Sequence, residues 1–236
     1  AGTVNIRIQF QRRAGGPALL FEYSGKIEKA KKTEKANKIE KSRELRKARG
    51  KTMITTVTMN PCMDKTVTVD TFQYGGLNRV QNGREDIGGK GINVASVVTN
   101  LGGMALCTGI NYENGGDFIQ GKLSDRHIRH DFVMVPGELR TNLKLFDRSK
   151  GVITEVNESG SPVEAGSIVV LKEKVRRYSR ESSMMVFSGS VPQGVGSGVY
   201  RELMEECARG CRPVLDAEGP LLSEGLKAQP YLIKPN

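Results

Sequence analysis

The chain is poor in the residues that usually announce a metal centre or a disulfide framework. It has no tryptophan, two histidines and four cysteines in 236 residues, and aromatics make up 6%. Cys62, Cys107, Cys207 and Cys211 include no C-x-x-C pair. Cys207 and Cys211 stand four apart on what the pattern predicts is one helix, and two ligands alone seldom hold a metal. Reduced thiols in a cytoplasmic protein fit this usage better than disulfides of a secreted one. His127 and His130 sit among charged residues and read as solvated surface. No apolar run approaches the roughly 18 residues of a membrane span, so no membrane partner is expected.

Charge is abundant but unevenly placed. The net +10 resides in residues 1–52, which carry 15 Lys+Arg against 5 Asp+Glu. That leaves 21 of the 36 basic and 21 of the 26 acidic residues for 53–236, a neutral body. From Lys26 to Lys51 the only sizeable apolar residues are Ile27, Ile39 and Leu45. Such a segment cannot bury enough surface to offset its ordering entropy. We read 1–52 as a basic leader, disordered or a solvated helix, or not native at all, with Met53 the true start. A transit peptide is the weaker alternative. Lysines without interleaved aromatics make nucleic acid an unfavoured partner.

From Met53 the pattern is regular. Ile54-Thr55-Thr56-Val57-Thr58 is β-branched throughout and reads as a buried strand. Asn60-Pro61-Cys62-Met63-Asp64 ends it, leaving the Asp64 carboxylate at a strand's C-terminal end, where open α/β sheets keep their ligands. Val67, Val69 and Phe72 to Val80 predict short strands around a Gly75-Gly76 turn. Further strands are predicted at 105–110, 133–135, 143–146, 152–156, 184–187, 213–215 and from 231, and helices at 116–123 and around Val199, Leu203 and Cys207. Ser161-Pro162-Val163-Glu164 reads as a capping box opening a helix with Ile168, Leu171, Val175 and Tyr178 on one face. Alternating β and α predicts a mainly parallel sheet covered by helices on both faces.

One stretch carries chemistry. Gly88-Gly89-Lys90-Gly91-Ile92-Asn93 precedes a run with helical spacing, Val94, Val97, Val98 and Leu101, stopped by Gly102-Gly103. Glycines before a helix let backbone N–H groups approach a ligand, and the helix N-terminus favours an anion. Lys90 adds a full charge there, and Asn93 can donate and accept towards hydroxyls. An ordinary glycine turn into a buried helix is the plainer reading of the stretch by itself.

Six motifs then occur in order: Asn60-Pro61-x-x-Asp64, Gly76-Leu77-Asn78-Arg79-Val80, Gly88 to Ala95, Thr141-Asn142, Ser188-Gly189-Ser190-Val191-Pro192-x-Gly194-Val195 and Leu232-Ile233-Lys234-Pro235-Asn236. Together they resemble the phosphofructokinase B-type branch of the ribokinase-like sugar kinases, over residues 53–236. The resemblance implies a ribokinase-like three-layer α/β sandwich with a mainly parallel sheet and a small β lid. It implies ATP and Mg²⁺ as cofactors, a sugar phosphate as substrate, and a homodimer formed through the lid. By it, Asp64 holds sugar hydroxyls, while Gly89, Lys90 and Asn93 cradle the sugar phosphate. Arg140 closes over the substrate phosphate, with Arg79 a second candidate, and Ser190 supplies a substrate-side hydroxyl. Lys234 and Asn236 lie near the ATP phosphates and metal.

The reaction implied is transfer of the ATP γ-phosphoryl to the C6 hydroxyl of fructose 1-phosphate. Tagatose 6-phosphate is the alternative substrate, and a non-catalytic sugar-phosphate-binding module the alternative class. Leu77 stands where some fructose-6-phosphate kinases of the family carry lysine, and Asp216-Ala217-Glu218-Gly219 is a variant of a family turn. The family's general-base aspartate, its metal-organising glutamate and its nucleotide loops would follow Asn236. The sequence therefore predicts a fold incomplete at its C-terminus, no catalytic residue within 1–236, and binding without turnover.

Overall fold

The structure, a computed structural model, describes residues 53–235. The leader reading of 1–52 and the assignment of Asn236 fall outside them. Six parallel strands form the main sheet in the order β10-β9-β8-β1-β4-β5. They are β1 (Met53–Thr58), β4 (Met104–Asn114), β5 (Arg129–Glu138), β8 (Ser182–Ser188), β9 (Arg212–Asp216) and β10 (Leu232–Ile233). The helices between them are α1 (Lys90–Asn100), α2 (Gly116–Asp125), α3 (Ala165–Ser179), α4 (Val199–Glu205) and α5 (Gly219–Gly225).

Two apolar clusters show the layering. Val57, Tyr112, Leu171, Val175, Phe187, Tyr200 and Leu203 pack on one side of the sheet, with α3 and α4. Ile92, Ala95, Cys107, Ile119, Leu123 and Phe132 pack on the other, with α1 and α2. The central strand β1 is buried on both faces, and its threonines are drawn into the core. Thr55 Oγ1 meets Ser182 Oγ at 2.7 Å, so its hydroxyl is not desolvated without a partner.

A second sheet of four strands, β3-β2-β6-β7, forms the lid. It comprises β2 (Cys62–Val69), β3 (Asn82–Gly88), β6 (Arg140–Asp147) and β7 (Val152–Asn157). β2 and β6 run parallel, and β3 and β7 flank them antiparallel. Only residues 59–61 separate β1 of the body from β2 of the lid, so the two sheets meet at the C-terminal end of the central body strand.

Several expectations are corrected here. Phe72 to Val80 forms no strand; it is a loop closed by the Asn78 side chain. Gln73 N–H donates to Asn78 Oδ1 at 2.8 Å, and Asn78 Nδ2 donates back to Gln73 O at 2.9 Å. This local bonding replaces a strand ladder. The pairing strand is Asn82–Gly88 instead, whose polar sequence hides it from a hydrophobic pattern. It is held by cross-strand partners such as Lys65 and Glu85, 3.0 Å apart. Asp64 lies within lid strand β2, not at the end of a body strand.

Helix α1 forms where expected but turns a different face inward. Gly91, Ile92 and Ala95 are buried, while Val97 is 56% and Leu101 82% exposed. Ser161 does not cap α3, which starts at Ala165 after an extended Glu164. Its hydroxyl instead accepts from Glu138 N–H at 2.9 Å. Cys207 and Cys211 share no helix, because α4 ends at Glu205.

Candidate functional site

Between the C-terminal ends of β1, β8 and β9 and the inner face of the lid lies a cavity of about 360 Å³. Asp64, Gly89, Lys90, Asn93, Arg140 and Ser190 all line it. Arg79 does not; it is exposed in the loop between β2 and β3. Lys234 stands at the β9–β10 end, where its Nζ donates to Asp216 Oδ1 at 3.0 Å.

The entry to α1 is shaped by glycine. Gly89 has φ 122°, a conformation that side chains resist. A Cβ on Gly91 would lie 2.4 Å from Thr58 Oγ1 and 3.1 Å from Val57 O, so glycine lets the helix start sit directly on the end of β1. No side chain caps this N-terminus. Its first amides and the partial positive charge of an 11-residue helix therefore face the cavity. That arrangement suits an anionic or hydroxyl-rich ligand.

The lid presents a continuous polar face. Alternate residues of β6 (Arg140, Asn142, Lys144) point to the same side as Cys62 and Asp64 of β2, in register across the parallel pair. Lys144 Nζ donates to Asp64 Oδ2 at 2.9 Å. Asn142 Nδ2 donates to Asp64 Oδ1 at 3.2 Å and lies 3.1 Å from Cys62 Sγ. Burial would raise the Asp64 carboxyl, but the hydrogen bonds from Lys144 and Cys62, then the Lys144 charge, outweigh it and hold Asp64 below its ordinary value. Lys144 is raised in turn, first by its hydrogen bond to Asp64. The Cys62 thiol is pushed up to about 12, mainly by burial, so it remains protonated and unreactive.

Arg140 occupies its donors within the protein. Nε and Nη2 donate to Asn60 O at 3.3 and 3.1 Å. Nη1 donates to Asn142 Oδ1 at 2.9 Å and Glu158 O at 3.0 Å. The side chain thus ties β6 to the body–lid junction and to the segment after β7.

On the body side, Asp216 ends β9 and is 9% exposed. It accepts from Ser188 Oγ at 2.7 Å and from Lys234, and Lys90 Nζ lies 3.9 Å away. Burial pushes this carboxyl up, and Ser188, Lys234 and the Lys90 charge more than reverse the effect. The cavity is therefore lined by one cation–carboxylate pair on the lid, Lys144 with Asp64, and on the body by Lys90, whose Nζ lies 3.9 Å from Asp216. The sequence reading missed Asn60, Asn142, Lys144 and Ser188 as lining residues. For Asn142 and Lys144 a signal was present, because they follow Arg140 at the two-residue spacing of one strand face.

Comparison with known proteins agrees with this geometry. The model of the pfkB family of carbohydrate kinases matches residues 57–236. A curated 1-phosphofructokinase of Borreliella burgdorferi is 34% identical over 184 residues, covering 78% of this chain and 59% of that protein. A tagatose-6-phosphate kinase of Staphylococcus epidermidis is 29% identical, over 78% of this chain and 60% of that one. The tetrameric inhibited form of phosphofructokinase-2 from Escherichia coli superposes with a TM-score of 0.73 at 27% identity, over 78% of this chain and 61% of that one. The chain thus spans about 60% of the length of the curated relatives it matches. With the parallel sheet, the lid and the cavity between them, these matches place the chain in the pfkB family of carbohydrate kinases.

Proposed function

We propose that this chain supplies the sugar-phosphate half of an ATP-dependent kinase that converts fructose 1-phosphate to fructose 1,6-bisphosphate. The observation that carries the proposal is the cavity lined by Lys144 and Asp64 from the lid and by Lys90 from the body. The product has a phosphate at each end of a polyhydroxylated chain, and the cavity offers one cation from the lid and one from the body. Asp64, held ionised, accepts from sugar hydroxyls. Gly89, Asn93 and Ser190 line the cavity between the two ends, where they orient the sugar. Lys90 runs along Gly189 towards Asp216 and faces the phosphoryl group being transferred.

In the reaction the C6 oxygen bonds to the γ-phosphorus, the bond to ADP breaks, and the hydroxyl proton passes to a base. ATP supplies the phosphoryl group. Lys234 and Lys90, both near Asp216, suit its phosphate end. For Mg²⁺ the described residues offer no group of three or more acidic, His or Cys side chains. Excluding water beneath the lid strengthens each of these contacts.

The domain reading belongs to the same proposal: 1–52 a dispensable leader, 53–236 the kinase body with its lid. A second copy pairs through the outer lid face, where Val152 and Val156 are 49% and 61% exposed. The described residues contain no helix long and apolar enough to cross a membrane, and the free thiols fit the cytoplasm.

Calorimetric titration of the chain with fructose 1-phosphate, tagatose 6-phosphate and fructose 6-phosphate tests the reading. Fructose 1-phosphate should bind tightest. Preference for tagatose 6-phosphate would transfer the assignment to that substrate, and failure to bind any sugar phosphate would overturn it.

A further inference from the structure

We propose that Asn60 sets the lid and body walls of the cavity against each other, holding Arg140 of the lid through its backbone carbonyl and Ser190 of the body through its side-chain amide. The inference rests on the proposed sugar-phosphate site and names a positioning residue for it. Asn60 lies in the junction 59–61 between β1 and β2 and is 5% exposed. Its backbone O accepts from Nε and Nη2 of Arg140, at 3.3 and 3.1 Å. Its Nδ2 donates to Ser159 O at 3.1 Å and to Ser190 Oγ at 3.4 Å. Arg140, on lid strand β6, and Ser190, just after body strand β8, both line the cavity.

The segment after β7 is shaped to fit this residue. Gly160 has φ 89°, and a Cβ there would lie 2.7 Å from Asn60 Oδ1 and 3.2 Å from Arg140 Cδ. Glycine therefore meets both a dihedral and a clearance demand, and lets 158–160 lie directly on Asn60 and Arg140. Asn60 Oδ1 is buried without a hydrogen-bond partner among the described residues, so Nδ2 alone ties the side chain to this segment and to the Ser190 loop. The segment is held from both sides as well. From the lid, Arg140 Nη1 donates to Glu158 O at 3.0 Å and Thr141 N–H donates to Glu158 Oε2 at 2.6 Å. From the loop that carries Ser190, Gln193 Nε2 donates to Ser159 Oγ at 3.0 Å. Stretches at 60, 140, 158–160 and 190–193 thus meet around one buried amide. The placements of Arg140 and Ser190 are therefore not independent, and a substrate meets both already oriented.

The test combines amide exchange of the ligand-free protein with calorimetric titration by fructose 1-phosphate, on the whole chain, Asn60→Ala, Ser190→Ala and the double variant. Asn60→Ala keeps the backbone carbonyl and removes only the amide. It should weaken fructose 1-phosphate about 10-fold, for two hydrogen bonds lost at a buried group, and accelerate exchange over 140–157 and 188–195 together. On the Asn60→Ala background, removing Ser190 Oγ should cost about threefold less affinity than it does alone, because groups in one network are not additive. Additive losses would show that Asn60 supports only the general fold, and acceleration confined to one window would show that the two walls are set separately; either overturns the inference. Should Asn60→Ala fail to fold, Ser190→Ala decides, since its position is exposed. It should by itself accelerate exchange over 140–157, and unchanged exchange there overturns the inference. Each of these reverses leaves the proposed function standing, whereas absence of fructose 1-phosphate binding by the unaltered chain would overturn both.

Discussion

The body and the lid are both β-sheets, built on opposite terms. In the body, β1 and β8 are buried on both faces between helical layers. In the lid, β7 is exposed along all six residues, and the inner face is a row of charged and amide side chains. Apolar burial is therefore concentrated in the body, while the lid presents polar side chains to the cavity. A sheet that gives one face to a cavity cannot also be sealed by apolar packing on both sides.

The largest effect that would sharpen this contrast is in the body. Phe187 is fully buried and meets the Tyr200 ring edge-on with centroids 6.2 Å apart. Phe187→Ala should cost about 3–5 kcal/mol by transfer and cavity terms, read as a fall in the urea midpoint. A loss under 1 kcal/mol would show that the body is not the stabilising half.

Next is the lid brace. Arg140→Ala should leave the urea midpoint within about 1 kcal/mol, because the lid adds little to the global core. Amide exchange over 140–157 should accelerate, and fructose 1-phosphate affinity should fall with it. Unchanged exchange would mean that the four Arg140 bonds do not hold the lid.

A pH titration gives the smaller, signed effect. Asp64 has a lowered pKa in the fold, so its contribution is full above the ordinary aspartate value of about 3.9 and is lost as pH falls through the lower folded value. Lys144 is raised, so its contribution is full below the ordinary lysine value and is lost only as pH rises past the folded one. The pair should be intact through neutrality, and Asp64→Asn should flatten the acid limb of a stability–pH curve relative to the unaltered chain. Superimposable curves would deny the pair any linkage. Smallest of all, Val156→Lys on the outer lid, 61% exposed, should shift stability by no more than about 0.5 kcal/mol. In light scattering it should nevertheless convert a lid-paired dimer to monomer, and an unchanged dimer mass would place the pairing surface elsewhere.

The sequence by itself determined the body. Runs such as Ile54–Thr58 and Met184–Phe187 lie in buried parallel strands and have the apolar or β-branched composition that such strands require. It also determined the start of α1, because Gly89 answers a local demand of dihedral angle; the clearance at Gly91 is against β1 and belongs to the tertiary structure. Tertiary structure alone decided the lid. Asn82–Gly88 becomes a strand only because β2 is there to pair with it, and Phe72 to Val80 becomes a loop because Asn78 outbids the ladder. It likewise decided which face of α1 is buried, since Val97 and Leu101 have the spacing but Ile92 and Ala95 meet the sheet. And it decided the surroundings of the lid cations: Arg140 and Lys144 differ little as letters on one strand face, but the junction places three acceptors around Arg140, while Lys144 meets the carboxylates of Asp64 and, across the β6–β7 pair, Glu155. Periodicity fixes which side of a strand a residue takes; the partners it finds there come from segments 80 residues away.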